Sequence, residues 1–375
     1  MSTSVLALLV VGALLLALLA VYLAVHLRWV LDFKPTEVIQ VRTVDGHTLP
    51  MYRHRRELPD SQRKGVVLCL HGLGASHFNF DFPGSADLAG YLADQGYDVF
   101  VPALRGDADV AFPEGALSGW SFDDYVRHDL PAILEKALQV SGARKVHLLG
   151  HSMGGLLSYA LAAVHGEDGV GSIVAMGSPV GFAEKGAVVG DIAWVEWLVR
   201  RLPTVHIRFF ARVFAPWLMW MPAFFLRSQF NPSQVDMTYV RRATWHALSH
   251  VSTRLLLQFV DWIRHDAFRS VDHSLDYREA MRRITVPVLV IAGEVDLMCR
   301  HGNALRALDL VASADKQAVL LGRDAGFSDG YGHIDMVFGM RARDEVFPHI
   351  TSFLDRVSGA AARKLNGHAH PGVEG

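Results

Sequence analysis

The sequence predicts an α/β fold: a mostly parallel sheet covered by helices on both faces, interrupted by a helical insertion and preceded by one apolar helix. Three observations predict it. Short apolar runs rich in β-branched residues alternate with segments of helical spacing, the pattern of parallel strands buried on both faces. The stretch from Gly186 to Arg269 breaks that rhythm with helical spacing alone and carries six of the eight tryptophans. The residues from Val5 to Leu27 contain no Asp, Glu, Lys or Arg. A chain of 375 residues that is 51% hydrophobic has room for one large core plus an insertion and is too apolar to be disordered. With 36 Lys+Arg against 38 Asp+Glu, nothing points to a nucleic-acid partner. Two cysteines, Cys69 and Cys299, exclude a disulfide framework.

At about 1.5 Å per residue, Val5 to Leu27 reaches roughly 34 Å, enough to cross a hydrocarbon core of ~30 Å. The competing reading is a cleaved signal peptide. It fits less well: Met1-Ser2-Thr3-Ser4 lacks a basic residue, the apolar run is long for that role, and no A-x-A site follows. The expected location is therefore a membrane, through a single-pass N-terminal anchor of the bacterial inner-membrane kind. Arg28, Lys34 and Arg42 favour a cytoplasmic catalytic domain, and Asp32 and Glu37 in the same flank weaken that preference.

Along the rest of the chain, Val66 to Leu70 reads as a buried strand, Ala86 to Gln95 as a helix and Tyr97 to Val101 as a second strand. Phe122 to Val140 has helical spacing and stops at Gly142. Val146 to Leu149, Ser172 to Met176, Val286 to Ala292 and Ala318 to Leu321 are further strands. Leu156 to Val164 is a helix, and Phe347 to Val357 is a closing one. The expected divisions are an anchor over 1–31, a first core segment over 32–185, a helical cap over 186–272, a second core segment over 273–358 and a flexible tail over 359–375. The cap belongs over the carboxyl edge of the sheet, where open α/β folds bind ligands. Its aromatics include Trp245 and Trp262, and Arg200, Arg201, Arg208 and Arg212 interleave with them. That mixture fits either a solvated basic face or a surface resting on a membrane.

The sharpest motif is Gly150-His151-Ser152-Met153-Gly154-Gly155, set between a strand and a helix. A serine hydroxyl is a poor nucleophile unless it is exposed and held against a base. A tight turn does this, and flanking glycines allow the backbone to pack that closely. In a chain with 33 glycines the bare pattern is weak, and the strand-turn-helix context makes it a nucleophile elbow of the α/β-hydrolase fold. His71-Gly72-Leu73-Gly74 follows the first buried strand. Acyl transfer builds charge on a carbonyl oxygen, and the backbone N–H groups of Leu73 and Met153 are the expected oxyanion hole. The strand ending at Ala292 runs into Gly293-Glu294-Val295-Asp296. Asp296 is the expected acid, with Glu294 as the alternative. Among 19 histidines, His333 stands out because it lies between the last strand and the last helix, the position of the base in the order Ser, acid, His. Cys69 reads as a buried small hydrophobe, and Cys299 is displaced as a nucleophile by Ser152. His246 and His250 stand four apart but lack a third ligand and the zinc-protease pattern, so no metal is expected. No Walker loop or dinucleotide fingerprint is present, and no cofactor is expected.

These residues resemble the acid lipase family of gastric and lysosomal lipases. The likeness is carried by His71-Gly72-Leu73 with Ala75-Ser76, the run Ala93 to Val99, Arg105-Gly106, Phe122-Asp123, Asp129 to Pro131 and Gly150 to Gly154. In the second half it rests on Val286-Pro287, Gly293 to Leu297 and Tyr331 to Asp335. The resemblance implies a triad of Ser152, Asp296 and His333, an oxyanion hole from Leu73 and Met153, and cleavage of lipid acyl esters under a helical cap. The chain departs from that family in having Met153 where those lipases often have Gln, in lacking their cysteines and in carrying an anchor, so an acidic optimum is not implied. It is also similar to polyhydroxyalkanoate synthases at Phe122 to Tyr125, but they use Cys where this chain has Ser152. The expected partners are a lipid or hydrophobic ester substrate and the membrane. Two rivals remain. One is acyl transfer to an alcohol or thiol by the same triad, and the other is a non-catalytic membrane scaffold. Dehalogenase and epoxide hydrolase chemistry would put Asp at position 152.

Overall fold

The computed structural model describes residues 2–59, 62–85, 87–111, 119–184, 196, 200–202, 204–215 and 223–367. Trp194, Trp197, Trp217 and Trp220 of the expected cap, and the last residues of the expected tail, lie outside them.

Eight strands form one sheet in the order β1-β2-β4-β3-β5-β6-β9-β10. They are β1 (Glu37–Arg42), β2 (Thr48–His54), β3 (Gly65–Leu70), β4 (Tyr97–Pro102), β5 (Val146–His151), β6 (Val170–Met176), β9 (Val288–Gly293) and β10 (Lys316–Leu321). β1 pairs antiparallel with β2 and β2 antiparallel with β4, while the other pairings are parallel. The predicted parallel core is present, and an antiparallel hairpin that the hydrophobic pattern did not mark extends one edge.

Why these runs become buried strands shows in their alternation. Side chains along a strand point to opposite faces. Val66, Leu68 and Leu70 of β3 join one core and Val67 and Cys69 the other. On β9, Val288, Val290 and Ala292 face the first core, and Leu289 and Ile291 face the second. Helices α3 (Leu130–Ser141) and α4 (Met153–His165) cover the first face. Helices α2 (Leu88–Asp94) and α9 (Phe347–Gly367) cover the second. The helical stretch from Phe122 opens with a capping box at Ser121 and Asp124, passes through a π turn at Tyr125–Asp129, and ends at Gly142 with φ +71. The closing helix continues to Gly367, past the predicted end at Val357, so residues 359–367 of the expected tail are helical. The sequence there, Gly-Ala-Ala-Ala-Arg-Lys-Leu, has high helix propensity after its first residue.

The insertion between β6 and β9 holds α5 (Ile207–Phe214), α6 (Ala223–Gln229), α7 (Met237–His246) and α8 (Thr253–His265). It also holds one short antiparallel pairing of β7 (Thr204–Val205) with β8 (Val251–Ser252), where helix alone was expected. The insertion is stitched to the core. Gln258 accepts from Phe122 N–H and donates to Asp123. Ser76 and Ser249 bond across to Ala247 and Gly74. The first helix, α1 (Thr3–Arg28), is long and apolar enough to cross a membrane. Its last turns pack on the insertion: the Tyr22, His26 and Trp29 rings lie 5.2, 6.3 and 5.5 Å from the ring of buried Trp245.

Candidate active site

Three parallel strands deliver the site. β5 ends in the elbow, β6 ends beside it and β9 ends in the acid loop. Ser152 sits at the strand-to-helix turn with φ 56 and ψ −120, a conformation that non-glycine residues avoid. The surroundings enforce it. Ser152 N–H donates to Met176 O at 2.8 Å, fixing the turn to the end of β6. The glycines of the motif are spatial necessities. A Cβ on Gly154 would lie 1.7 Å from the Leu70 carbonyl oxygen, and one on Gly150 would lie 2.2 Å from the Gly154 backbone. Both obstacles are backbone and cannot swing away. Gly154→Ala is therefore expected to push the start of α4 away from the end of β3 and cost about 3 kcal/mol or more, at the upper end of overpacking effects. A thermal melt of the variant checks this, and an unchanged Tm would contradict the packing described.

The loop after β3 closes over the serine. A Cβ on Gly72 would stand 3.2 Å from Ser152 Cβ and 3.7 Å from its Oγ. Leu73 follows directly in the same loop. Met153 is the first residue of α4, where helix N–H groups have no carbonyl one turn earlier to receive them.

His333 and Asp296 meet. His333 Nδ1 is 2.8 Å from Asp296 Oδ2, and both residues are buried. The other carboxylate oxygen, Oδ1, accepts from Met298 N–H at 2.8 Å and Cys299 N–H at 2.7 Å. Three hydrogen bonds thus fix the orientation of the carboxylate. Glu294 is placed elsewhere: its Oε2 accepts from Arg323 N–H at 3.3 Å, next to Gly322. The His333 ring lies over the end of β6, where a Cβ on Gly177 would be 3.2 Å from Nδ1. Gly177 is the residue after Met176, the one that holds Ser152 N–H, so Ser152 and His333 share one supporting turn. Cys69 and Cys299 are buried, and burial pushes both thiols well above their usual range, which removes them as nucleophiles. His246 is committed through Nε2 to Trp29 O at 2.6 Å, and the His250 ring faces His206.

Three residues to which the sequence reading assigned no role support this arrangement. His151 Nδ1 is 3.1 Å from Asn79 Oδ1, and its Nε2 is 3.0 Å from the His333 carbonyl oxygen. Burial, with His333 nearby, lowers its pKa to about 3, so the ring is neutral. A neutral imidazole has one N–H and donates to one of these acceptors at a time. Asn79 Oδ1 also accepts from Gly72 N–H at 3.3 Å. His151 therefore sits between the loop beside Leu73 and the loop of His333 and donates to one of them at a time.

Asp335 ties the insertion to the same loop. Its Oδ2 accepts from Gly332 N–H and from Asn231 N–H, each at 2.7 Å, while Oδ1 is buried without a partner among the described residues. Burial raises its pKa to about 7, outweighing the two N–H donors, and the Asp296 charge adds to the rise. A carboxyl with a raised folded pKa keeps its proton longer in the folded state than in the unfolded one. Between its ordinary value near 4 and about 7, the folded state binds more protons, so stability falls as pH rises through that window. Asp335→Asn is expected to flatten this slope, read as a smaller change in Tm between pH 5 and pH 8 than in the parent chain. Equal slopes would show that Asp335 does not titrate there.

Comparisons with known proteins bear on the fold and the family. The family model described as "alpha/beta hydrolase fold" matches residues 65–321. Gastric triacylglycerol lipase of Mus musculus is 35% identical over 136 residues, covering 33% of this chain and 34% of that protein. The match thus spans about a third of that lipase's length. A Schizosaccharomyces pombe protein named "probable lipase" is 25% identical over 355 residues, 83% of this chain and 72% of its own. Among solved structures, a membrane phospholipase A superposes with TM-score 0.55 at 17% identity, covering 94% of this chain and 96% of that one, which is a likeness of fold.

Proposed function

Since the chain belongs to the α/β-hydrolase fold family, we propose that it is a carboxylic-ester hydrolase acting on lipid-like esters, with Ser152, His333 and Asp296 as its triad. The observation that carries the reading is the forced backbone of Ser152, at φ 56 and ψ −120, next to a buried His333–Asp296 pair 2.8 Å apart. Strain at a serine, kept by surrounding backbone, is the mark of a side chain held out for chemistry.

In this reading Asp296 accepts Nδ1–H of His333, leaving Nε2 as the base. Ser152 Oγ attacks the ester carbonyl carbon while its proton passes to Nε2. The N–H groups of Leu73 and Met153 stabilise the oxyanion, each worth about 3–4 kcal/mol in known cases. Collapse breaks the bond to the alkoxy oxygen, which takes the proton from His333 and leaves as alcohol. Water then attacks the acyl-serine with His333 again as base, releasing the acid and restoring Ser152. No cofactor or metal enters these steps.

A lipid-like substrate is supported by the similarity to a protein named gastric triacylglycerol lipase and by the apolar α1. We read α1 as a retained single-pass anchor of a bacterial inner membrane. The support is its contact with the folded domain: Trp29 is 8% exposed and packs edge-on to Trp245, which is fully buried, and removing α1 would uncover both. The basic flank of α1 supports a cytoplasmic side for the catalytic domain, and the exposed Lys34–Asp32 pair offsets part of that charge. The proposed division is anchor (1–31), core (32–185 and 273–358), cap (186–272) and tail (359–375), with α9 running on through 359–367 of the last segment.

The test uses the full-length chain in lipid nanodiscs with p-nitrophenyl esters of increasing acyl length and a fluorophosphonate probe. Rates rising with chain length, with labelling lost in Ser152→Ala, are the expected result. Turnover confined to short chains would remove the lipid assignment. Absence of any Ser152-dependent turnover would remove the hydrolase itself.

A further inference from the structure

Helix α5 is turned inside out for a protein in water. Its outward face is Phe209, Phe210, Val213 and Phe214, exposed by 61%, 53%, 42% and 54%. These positions are one and four apart, so they form a single stripe on the helix. Its inward face carries Arg208 and Arg212, half-buried, with Ala211 buried. Arg212 lies over the ring of Trp245, 5.8 Å from the centroid, and donates from Nε to Trp245 O. A helix beside water places its apolar stripe inward. The reverse is stable where the surroundings of the outward face are apolar.

What surrounds it follows from α1. Trp245, which Arg212 covers, is the same residue that receives Tyr22 and His26 of α1 and Trp29 at its C-cap. Trp29 O is also held by His246 and Val30 O by Arg242, both from α7 or its end. The 26 residues of α1 extend about 39 Å, longer than a hydrocarbon core of ~30 Å. With the core filled from its N-terminal end, the turns carrying His26 and Trp29 fall in the headgroup layer, where Trp and Tyr concentrate. Helix α5 is fastened to those turns through Trp245. The charge of this region agrees: from Arg200 to Trp245 there are seven arginines, one aspartate, and neither lysine nor glutamate.

We propose that α5 is a second membrane contact, lying in the headgroup layer of the leaflet at which α1 ends, with its Phe209–Phe210–Phe214 stripe in the acyl chains and the net positive charge around it favouring anionic headgroups. The proposal rests on α1 being a retained anchor. It has a consequence for the site. The inner end of α5 reaches the loop after β3, since a Cβ on Gly74 would lie 3.4 Å from Ile207 Cδ1. Gly74 is next to Leu73, so a lipid ester leaving the bilayer beside α5 meets the proposed oxyanion loop without crossing bulk water.

The test is made on the full chain in nanodiscs containing phosphatidylglycerol, with Phe210→Cys, Leu15→Cys or Val44→Cys labelled by an environment-sensitive fluorophore. Both native cysteines are buried, and Val44, 86% exposed between β1 and β2, is the aqueous control. Acyl-brominated lipids should quench the probes at positions 15 and 210 and leave position 44 unaffected. Replacing Phe209, Phe210 and Phe214 by serine should lower turnover of a bilayer-embedded long-chain ester on the order of tenfold, while a water-soluble short ester is cleaved as before. Quenching at 15 without quenching at 210 would overturn the proposal with the anchor intact. A probe at 210 shielded from water but untouched by brominated lipid, with energy transfer between copies, would assign the stripe to a second copy of this chain. A mature protein lacking position 15 would overturn the anchor and this contact together.

Discussion

Ser152→Gly is expected to abolish ester turnover and, at the same time, to raise the melting temperature above that of the parent chain. The loss follows from removing the nucleophile. Where a serine nucleophile acts with its triad as a unit, its deletion lowers kcat by about 10⁶. The gain follows from the backbone. At φ 56 and ψ −120 a residue with a Cβ is strained, and such strain costs on the order of 1–3 kcal/mol. Glycine has no Cβ and relieves it, at an entropic cost of roughly 0.5–1 kcal/mol. Ser152→Ala separates the two effects, because alanine deletes the hydroxyl and keeps the Cβ. It should lose turnover equally and melt within a degree or so of the parent, since only the hydroxyl is gone. Thermal melts and kcat measured on all three chains check both claims. If Ser152→Gly melts no higher than Ser152→Ala, the elbow stores no strain. If either variant keeps turnover in a clean preparation, Ser152 is not the nucleophile.

That Ser152 was legible in the sequence, and its supports were not, has a physical reason. β3, β5, β6 and β9 are buried on both faces, so hydrophobicity alone marks them; Ser152 directly follows β5 and Asp296 lies in the loop directly after β9, while His333 lies farther along, in the loop between β10 and the last helices. The β1–β2 hairpin lacks that signal. β1 is exposed at Glu37, Gln40 and Arg42, and β2 buries Arg53, which hydropathy reads as surface. Arg53 is inside because Asp98 and Glu37 take its guanidinium, a match made across 45 and 16 residues. Arg105 and Asp129, which carried part of the family likeness, are similarly a buried pair, formed between the loop after β4 and the π turn before α3. The choice between Glu294 and Asp296 was open in the sequence because both follow β9. In the structure the two side chains leave the loop in different directions, Glu294 toward Arg323 and Asp296 toward His333. His151, Asn79 and Asp335 act through partners far along the chain, His151 and His333 being 182 residues apart. A strand pattern carries no trace of such a contact.

Asp296→Asn is expected to lower kcat by about 10⁴, the effect of misassigning the proton on a triad imidazole, while leaving the fold intact. The structure dictates which way the new amide turns. Asp296 Oδ1 receives two backbone N–H groups, from Met298 and Cys299. An amide NH₂ placed there would face two donors, so the amide oxygen stays and the NH₂ takes the position of Oδ2. That position is 2.8 Å from His333 Nδ1. The NH₂ donates, so Nδ1 must accept, and the ring proton moves to Nε2. An Nε2 that already carries a proton cannot take one from Ser152. The amide retains the hydrogen bonds that matter for folding, so Tm should shift by little. Asp296→Ala supplies the contrast: it leaves two buried N–H groups without an acceptor, at about 1–3 kcal/mol each, and should lower both kcat and Tm. A nitrogen-15 spectrum of the labelled imidazole reads the tautomer directly. Proton on Nδ1 in the parent and on Nε2 in Asp296→Asn is the expected pair of results. Turnover within tenfold of the parent in Asp296→Asn would mean that a group other than Asp296 orients His333.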